Sequence, residues 1–186
     1  MSLHLFKKFV LAFAILALVT RPIFGSDNSV VEILENDEAK FIFKLKPFEI
    51  YFEEKYVAGV RFEIPGISGY GSLLEPGKPF LPVKGILIAI PDQALPEIKI
   101  LEIHTSPAGS KNILPAPTYT QQQSEHGKFL EEYFSPDQKF YSQNSFYPSD
   151  IVVIKDVSRV RGQSIARVEI HPLQYNPATG ELVKVD

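Results

Sequence analysis

Apolar and polar positions alternate with a period of two through most of this chain, the pattern of half-buried strands. Ala39–Leu45 puts Phe41, Phe43 and Leu45 on one face and Lys40, Ile42 and Lys44 on the other. Beyond Pro47, Phe48, Ile50 and Phe52 alternate with Glu49, Tyr51 and Glu53, and Tyr56–Ile64 keeps Val60, Phe62 and Ile64 in phase. Pro65-Gly66 and the glycines at 66, 69 and 71 read as a loop. Gly77-Lys78-Pro79-Phe80-Leu81-Pro82-Val83 reads as extended, because a residue before proline avoids the helical region. Gly85–Pro91 is a continuous apolar run that predicts a buried strand. Glu97–His104 carries apolar residues on both faces, which predicts a central strand. Ile151–Lys155, Val157–Arg161 and Ser164–His171 also predict strands. The final stretch, His171 to Asp186, reads as strand, turn and returning strand. Asn176-Pro177 opens that turn, Gly180 supplies a positive φ, and Val183 and Val185 alternate with Glu181, Lys184 and Asp186. A sheet ending on a freshly started hairpin suggests a piece of something longer, with one or more last strands lacking.

Between Ser106 and Ser149 the alternation dissolves. Pro107, Pro115, Pro117, Pro136 and Pro148 punctuate it, and Gln121-Gln122-Gln123 is locally polar. Glu125–Phe134 suggests one short helical turn with Phe129, Leu130, Tyr133 and Phe134 on one side. A loop this long inside a compact domain is uncommon and usually functional. Nothing else shows sustained helical periodicity. Short strands split by Gly and Pro turns point to an all-β, antiparallel β-sandwich spanning residues 39–186.

The N-terminus is set apart. Lys7 and Lys8 precede an apolar run from Phe9 to Val19, as in a secretory signal peptide, assigned to residues 1–25. Eleven apolar residues fall short of the roughly 20 a spanning helix needs, so no stable membrane anchor is expected after cleavage. Residues 26–38 read as a linker. Losing Lys7, Lys8 and Arg21 with the leader takes the 19 basic residues to 16, against 22 acidic, a net charge of −6. Nucleic-acid binding wants the opposite sign. The chain has no cysteine, which excludes disulfides, a thiol nucleophile and a cysteine-ligated metal within it.

Candidate chemistry is thin. His104, His126 and His171 sit on different elements without metal-ligand spacing, and His4 leaves with the leader. Glu53-Glu54 and Glu131-Glu132 are adjacent pairs, which in strands face opposite sides. Gly66, Gly69 and Gly71 precede no helix that could cradle a phosphate. No cofactor, metal or catalytic residue is expected, and the chain is not expected to be an enzyme.

Four segments carry a resemblance. Gly77, Pro79 and Pro82, with the strand Gly85–Ile90 after them, resemble the G-x-P-x-L-P segment of gingipain propeptides. Phe146-Tyr147-Pro148-Ser149-Asp150 resembles that family's aromatic-proline step. Val160-Arg161-Gly162-Gln163 and Pro172-Leu173-Gln174-Tyr175-Asn176-Pro177 are similar to it in the same order and at similar spacing. The resemblance implies the N-terminal pro-domain of a secreted cysteine endopeptidase precursor. It implies a jelly-roll-like sandwich that assists the folding of a caspase-like catalytic domain and keeps it latent. A loop of the pro-domain would lie across the active-site cleft, and in arginine-specific members an arginine fills the specificity pocket. The expected partner is that catalytic domain, in cis within a precursor or in trans if the chain stands alone. The expected location is periplasmic or extracellular.

The position equivalent to the pocket-filling arginine falls near Gln121–Gln123, and no arginine lies between Ser106 and Ser149. Lys111, Lys128 and Lys139 are the basic residues there, and Lys128 is nearest. The inhibitory loop is therefore read as Gln121, Gln122, Gln123 and Lys128. Lys128 also reads as an ordinary solvated lysine, and Arg161-Gly162 reads as a turn or as a processing site. The other functional class is an extracellular binding or adhesion sandwich. Deleting Gln121–Lys128 separates the two, since only the pro-domain needs that segment.

Overall fold

The computed structural model describes residues 30–37, 39–124 and 127–185. The signal-peptide assignment, Glu125 and His126 lie outside them. In chain order the first strands are β1 (Val31–Asn36), β2 (Phe41–Leu45), β3 (Tyr51–Val57), β4 (Val60–Gly66), β5 (Gly71–Ser72) and β6 (Pro82–Ile90). There follow β7 (Thr105–Ser110), β8 (Thr118–Ser124), β9 (Gly127–Tyr133) and the short helix α1 (Gln138–Tyr141). The last four are β10 (Val152–Val160), β11 (Gln163–Ile170), β12 (Leu173–Asn176) and β13 (Glu181–Val185). The chain is all-β, and every strand pairing is antiparallel.

The main sheet runs β10-β11-β6-β5, and a second runs β12-β13-β7. β1–β2, β3–β4 and β8–β9 are hairpin pairs. In β11 the period of two is strict: Ser164, Ala166, Val168 and Ile170 turn inward and are buried, while Gln163 and Arg167 stay in solvent. The β10–β11 turn places Arg161 at φ 51° and Gly162 at φ 85°, and the β3–β4 turn places Ala58 at 49° and Gly59 at 80°. Two successive positive φ values make the tight hairpin loop whose twist matches the flanking strands.

The core is built from Ile67, Leu73, Leu81, Ile113, Tyr147, Leu173, Tyr175 and Leu182. It gathers the motif segments: Leu81 lies between Pro79 and Pro82, and Leu173 and Tyr175 belong to β12. Pro79, Pro82, Pro115 and Pro172 are fully buried beside it.

Several expectations are corrected. Residues 31–36 of the expected linker form β1, which pairs with β2 from Val31↔Leu45 to Asn36↔Phe41. Residues 97–104 form no strand and stand in solvent, with Leu101 65% exposed. Their apolar residues belong to a solvent-exposed segment without assigned strand structure, not to a central strand. The Gly85–Pro91 run is not buried throughout, since Leu87 is 71% exposed on the outer face of β6. In β13, Leu182 and Val185 are the buried positions rather than Val183 and Val185. A bulge between Glu181 and Val183 in the pairing with β7 resets the phase. Pro65-Gly66 ends β4 instead of opening a loop, with Pro65 opposite Phe52 and Gly66 opposite Tyr51.

Candidate functional site

The stretch 106–149 is not an irregular loop. It contains the end of β7, the hairpin β8–β9 and α1. Glu125–Phe134 does not form a helical turn: Gly127–Tyr133 is a strand. The hairpin register runs Thr118↔Tyr133, Thr120↔Glu131, Gln121↔Leu130, Gln122↔Phe129 and Gln123↔Lys128. Gln121, Gln122, Gln123 and Lys128 are thus brought together on facing strands, beside the turn. Every residue of β9 is exposed, and among the described residues no third strand joins the two-stranded β8–β9 sheet. Tyr119 on β8 and Phe129, Leu130 and Tyr133 on β9 are between 43% and 67% exposed. By strand alternation Phe129 and Tyr133 share one face, and Leu130 and Lys128 share the other.

A small polar relay stiffens the arm. Gln122 Nε2 donates to the Tyr133 hydroxyl at 3.4 Å, and that hydroxyl donates to Glu131 Oε2 at 2.6 Å. At the root, Lys55 on β3 lies 3.7 Å from Glu132 and 3.9 Å from the centre of the Phe134 ring. The Lys55 ammonium over that ring adds a cation–π contact to a charge pair that alone contributes little.

Residues 75–80 grip both legs of the hairpin. Pro76-Gly77 forms a turn closed by the Lys78 N–H donating to the Glu75 carbonyl at 3.1 Å. Gly77 has φ 77°, the value a type II turn requires at its third position. Its N–H donates to the Ala116 carbonyl at 3.0 Å, and its carbonyl accepts from the Asp137 N–H at 3.0 Å. Ala116 lies on the incoming leg and Asp137 on the outgoing one. The Ala116 N–H donates in turn to the Lys78 carbonyl at 2.7 Å, and Phe80 N–H to Leu114 O at 2.9 Å, around a bridge of Pro79 with Pro115. On the outgoing leg, Asp137 caps α1 by accepting from the Phe140 N–H at 3.1 Å. Phe140 stands edge-on to Tyr147, ring centres 5.2 Å apart, and Lys78 Nζ sits 5.5 and 5.4 Å from those two ring centres. Lys78 also pairs with Glu75 at 2.5 Å, which holds the Glu75 carboxyl below its ordinary value. Burial pushes the Tyr147 phenol well above its ordinary value, and the Glu75 charge adds to this.

The C-terminal motif supports the same region from below. Gln174 Nε2 donates to the Pro148 carbonyl at 2.7 Å, beyond the cis Tyr147–Pro148 bond. The Tyr175 ring is buried, and its hydroxyl donates to the Lys111 carbonyl at 3.0 Å. Asn176 opens the turn by accepting from Ala178 N–H at 3.1 Å, and its amide donates to Asn144 Oδ1 at 2.7 Å. Pro172 is buried and Pro177 half-buried within this turn region. Arg161 and Gly162 sit apart, at the β10–β11 turn. His104 is exposed, 3.7 Å from Glu102. His171 is buried, with Nδ1 2.5 Å from the Asp150 carbonyl. Among the described residues no group of three or more His, Asp or Glu stands close enough to hold a metal, and no helix is long and apolar enough to cross a membrane.

Sequence reasoning named Gly77 and Pro79 from a motif but missed what they grip. It also missed Phe140, Lys55 and Asn144. The proline-rich flanks of 106–149 were the available signal, since Pro115 and Pro136 sit at the hairpin's two feet.

Comparisons place this architecture. The Propeptide_C25 family model matches residues 23–185. Two gingipain R1 sequences of Porphyromonas gingivalis are 32% identical over 162 residues, covering 83% of this chain. This chain spans 15% and 9% of those relatives' lengths. Among solved structures, the complex of P. gingivalis RgpB pro- and mature domains matches with TM-score 0.74 and 18% identity, over 85% of this chain and 80% of the other. A structure addressing zymogenic latency of gingipain K from P. gingivalis matches with TM-score 0.69 and 20% identity, over 84% and 87%. The fold is thus shared with both, and the chain belongs to the Propeptide_C25 family as a non-catalytic pro-domain.

Proposed function

We propose that this pro-domain keeps a gingipain-like cysteine peptidase latent by laying the β8–β9 hairpin across its active-site cleft. It also assists that peptidase's folding before removal. The observation that carries this reading is an arm with both faces in solvent, both bearing large apolar side chains, on a root fixed by backbone hydrogen bonds. Exposed apolar surface of this kind marks an interaction site. A pre-ordered arm loses little freedom on docking. When tethered, it faces its target at an effective concentration of about a millimolar, so modest contacts suffice until the tether is cut. One of the similar solved structures is a complex of pro- and mature domains, and another concerns zymogenic latency, which supports the same partner here.

Lys128, beside the turn and opposite Gln123, is the basic candidate for the specificity pocket. Gln121 to Gln123 line the opposite strand. The reading includes export through the N-terminal leader to the periplasm or beyond. The test is inhibition: the purified full chain slows a gingipain-type catalytic domain, and a chain with a shortened arm does not.

A further inference from the structure

We propose that Gly77 is a positioning residue that aims the β8–β9 arm, an inference that rests on the reading of that arm as the inhibitory element. One peptide group on each side of its α-carbon holds one leg: the N–H takes the incoming leg at Ala116, and the carbonyl takes the outgoing leg at Asp137. The two feet of the hairpin are therefore tied through a single residue. Their separation, and so the direction of the arm, follows from that residue's conformation.

Two features make the position specific to glycine. Its φ of 77° is one that residues with a Cβ rarely adopt. A Cβ there would also stand 3.1 Å from the Asp137 nitrogen, 3.2 Å from the Ser135 carbonyl oxygen and 3.4 Å from the Asp137 Cβ. These atoms all belong to the outgoing leg. Any side chain at position 77 therefore pushes that leg away while leaving the incoming leg in place. The legs splay and the arm swings. Gly162 provides the contrast, with φ 85° in the β10–β11 turn and nothing within 4 Å of an added Cβ.

The experiment compares the full chain with Gly77→Ala, Gly77→Asn and Gly162→Ala. Amide hydrogen exchange is read at Asp137 and along β11, and inhibition is read on the catalytic domain of P. gingivalis gingipain R1. Gly77→Ala is expected to exchange Asp137 at least tenfold faster while Ala166 and Val168 keep their protection. It should inhibit at least tenfold more weakly, and Gly162→Ala should inhibit like the unaltered chain. Asparagine adopts positive φ more readily than alanine but carries the same Cβ, so the same losses in Gly77→Asn uphold the inference should Gly77→Ala fail to fold. Unchanged Asp137 exchange in Gly77→Ala or, if that chain does not fold, in Gly77→Asn, or a loss of inhibition matched by Gly162→Ala, overturns it. Failure of the unaltered chain to inhibit sinks the inhibitory reading instead, and the Asp137 exchange then decides the positioning claim alone.

Discussion

Tyr147 and Tyr175 exchange both backbone hydrogen bonds, Tyr147 N–H to Tyr175 O at 2.9 Å and Tyr175 N–H to Tyr147 O at 2.7 Å. This bridge joins the aromatic-proline step to the C-terminal strand pair across 28 residues of sequence. Gln174 reinforces it through the Pro148 carbonyl. The bridge places Tyr147 under Phe140, so the outgoing leg of the arm rests on the core.

Tyr175 should separate packing from hydrogen bonding. Its ring is buried and its hydroxyl donates to the Lys111 carbonyl. Tyr175→Phe is expected to cost about 1 kcal/mol, and Tyr175→Ala about 3–5 kcal/mol. Urea unfolding curves with an unchanged slope measure both differences.

Leu182 is fully buried in the core. Leu182→Ala should destabilise by about 2–5 kcal/mol, depending on how far the surrounding side chains close in. Leu87→Ala, at a position 71% exposed, should stay within about 0.5 kcal/mol. Thermal melts of the pair check the assignment of inner and outer faces.

The Glu75–Lys78 pair predicts a pH dependence of known sign. Its hydrogen bond with Lys78 lowers the Glu75 carboxyl below the ordinary 4.5. A depressed carboxyl contributes stability above its unfolded value and loses that contribution as pH falls through its folded value. Glu75→Gln should therefore lower the melting temperature at neutral pH, and the gap from the unaltered chain should narrow below 4.5. A gap that widens in acid contradicts the pairing. The group is largely exposed, so the effect is small.

Arm residues should behave in the opposite way to core residues. Phe129→Ser and Leu130→Ser remove side chains that are 50% and 67% exposed. Stability should change by about 0.5 kcal/mol or less, while inhibition of a gingipain-type catalytic domain weakens. Equal loss of both would mark the hairpin as structural.

The sequence made the β11 strand readable because one face is buried and the other wet, whereas the last hairpin was legible through its turn, Asn176-Pro177 and Gly180, and the β13 bulge moved its buried position from Val183 to Leu182. Ser164 to Ile170 could only be read one way. The arm was unreadable for the opposite reason. Both its faces are in solvent, so Gln121-Gln122-Gln123 carries no alternation. Phe129, Leu130, Tyr133 and Phe134 fall by coincidence at helical spacing. Residues 97–104 failed similarly, since apolar residues on both faces mean a central strand only when neighbours cover them. The clasp at Gly77 depends on backbone hydrogen bonds, which leave no side-chain pattern beyond the proline and glycine that permit them.

The most direct measurement is the inhibition constant of the full chain against a gingipain-type catalytic domain, with and without the arm. Replacing residues 121–130 by Asn-Gly joins Thr120 to Glu131, which face each other, through a two-residue loop suited to a hairpin. The shortened chain is expected to keep its melting temperature and to lose inhibition by at least a hundredfold. Undiminished inhibition by a folded chain without its arm would show that the hairpin is not the inhibitory element.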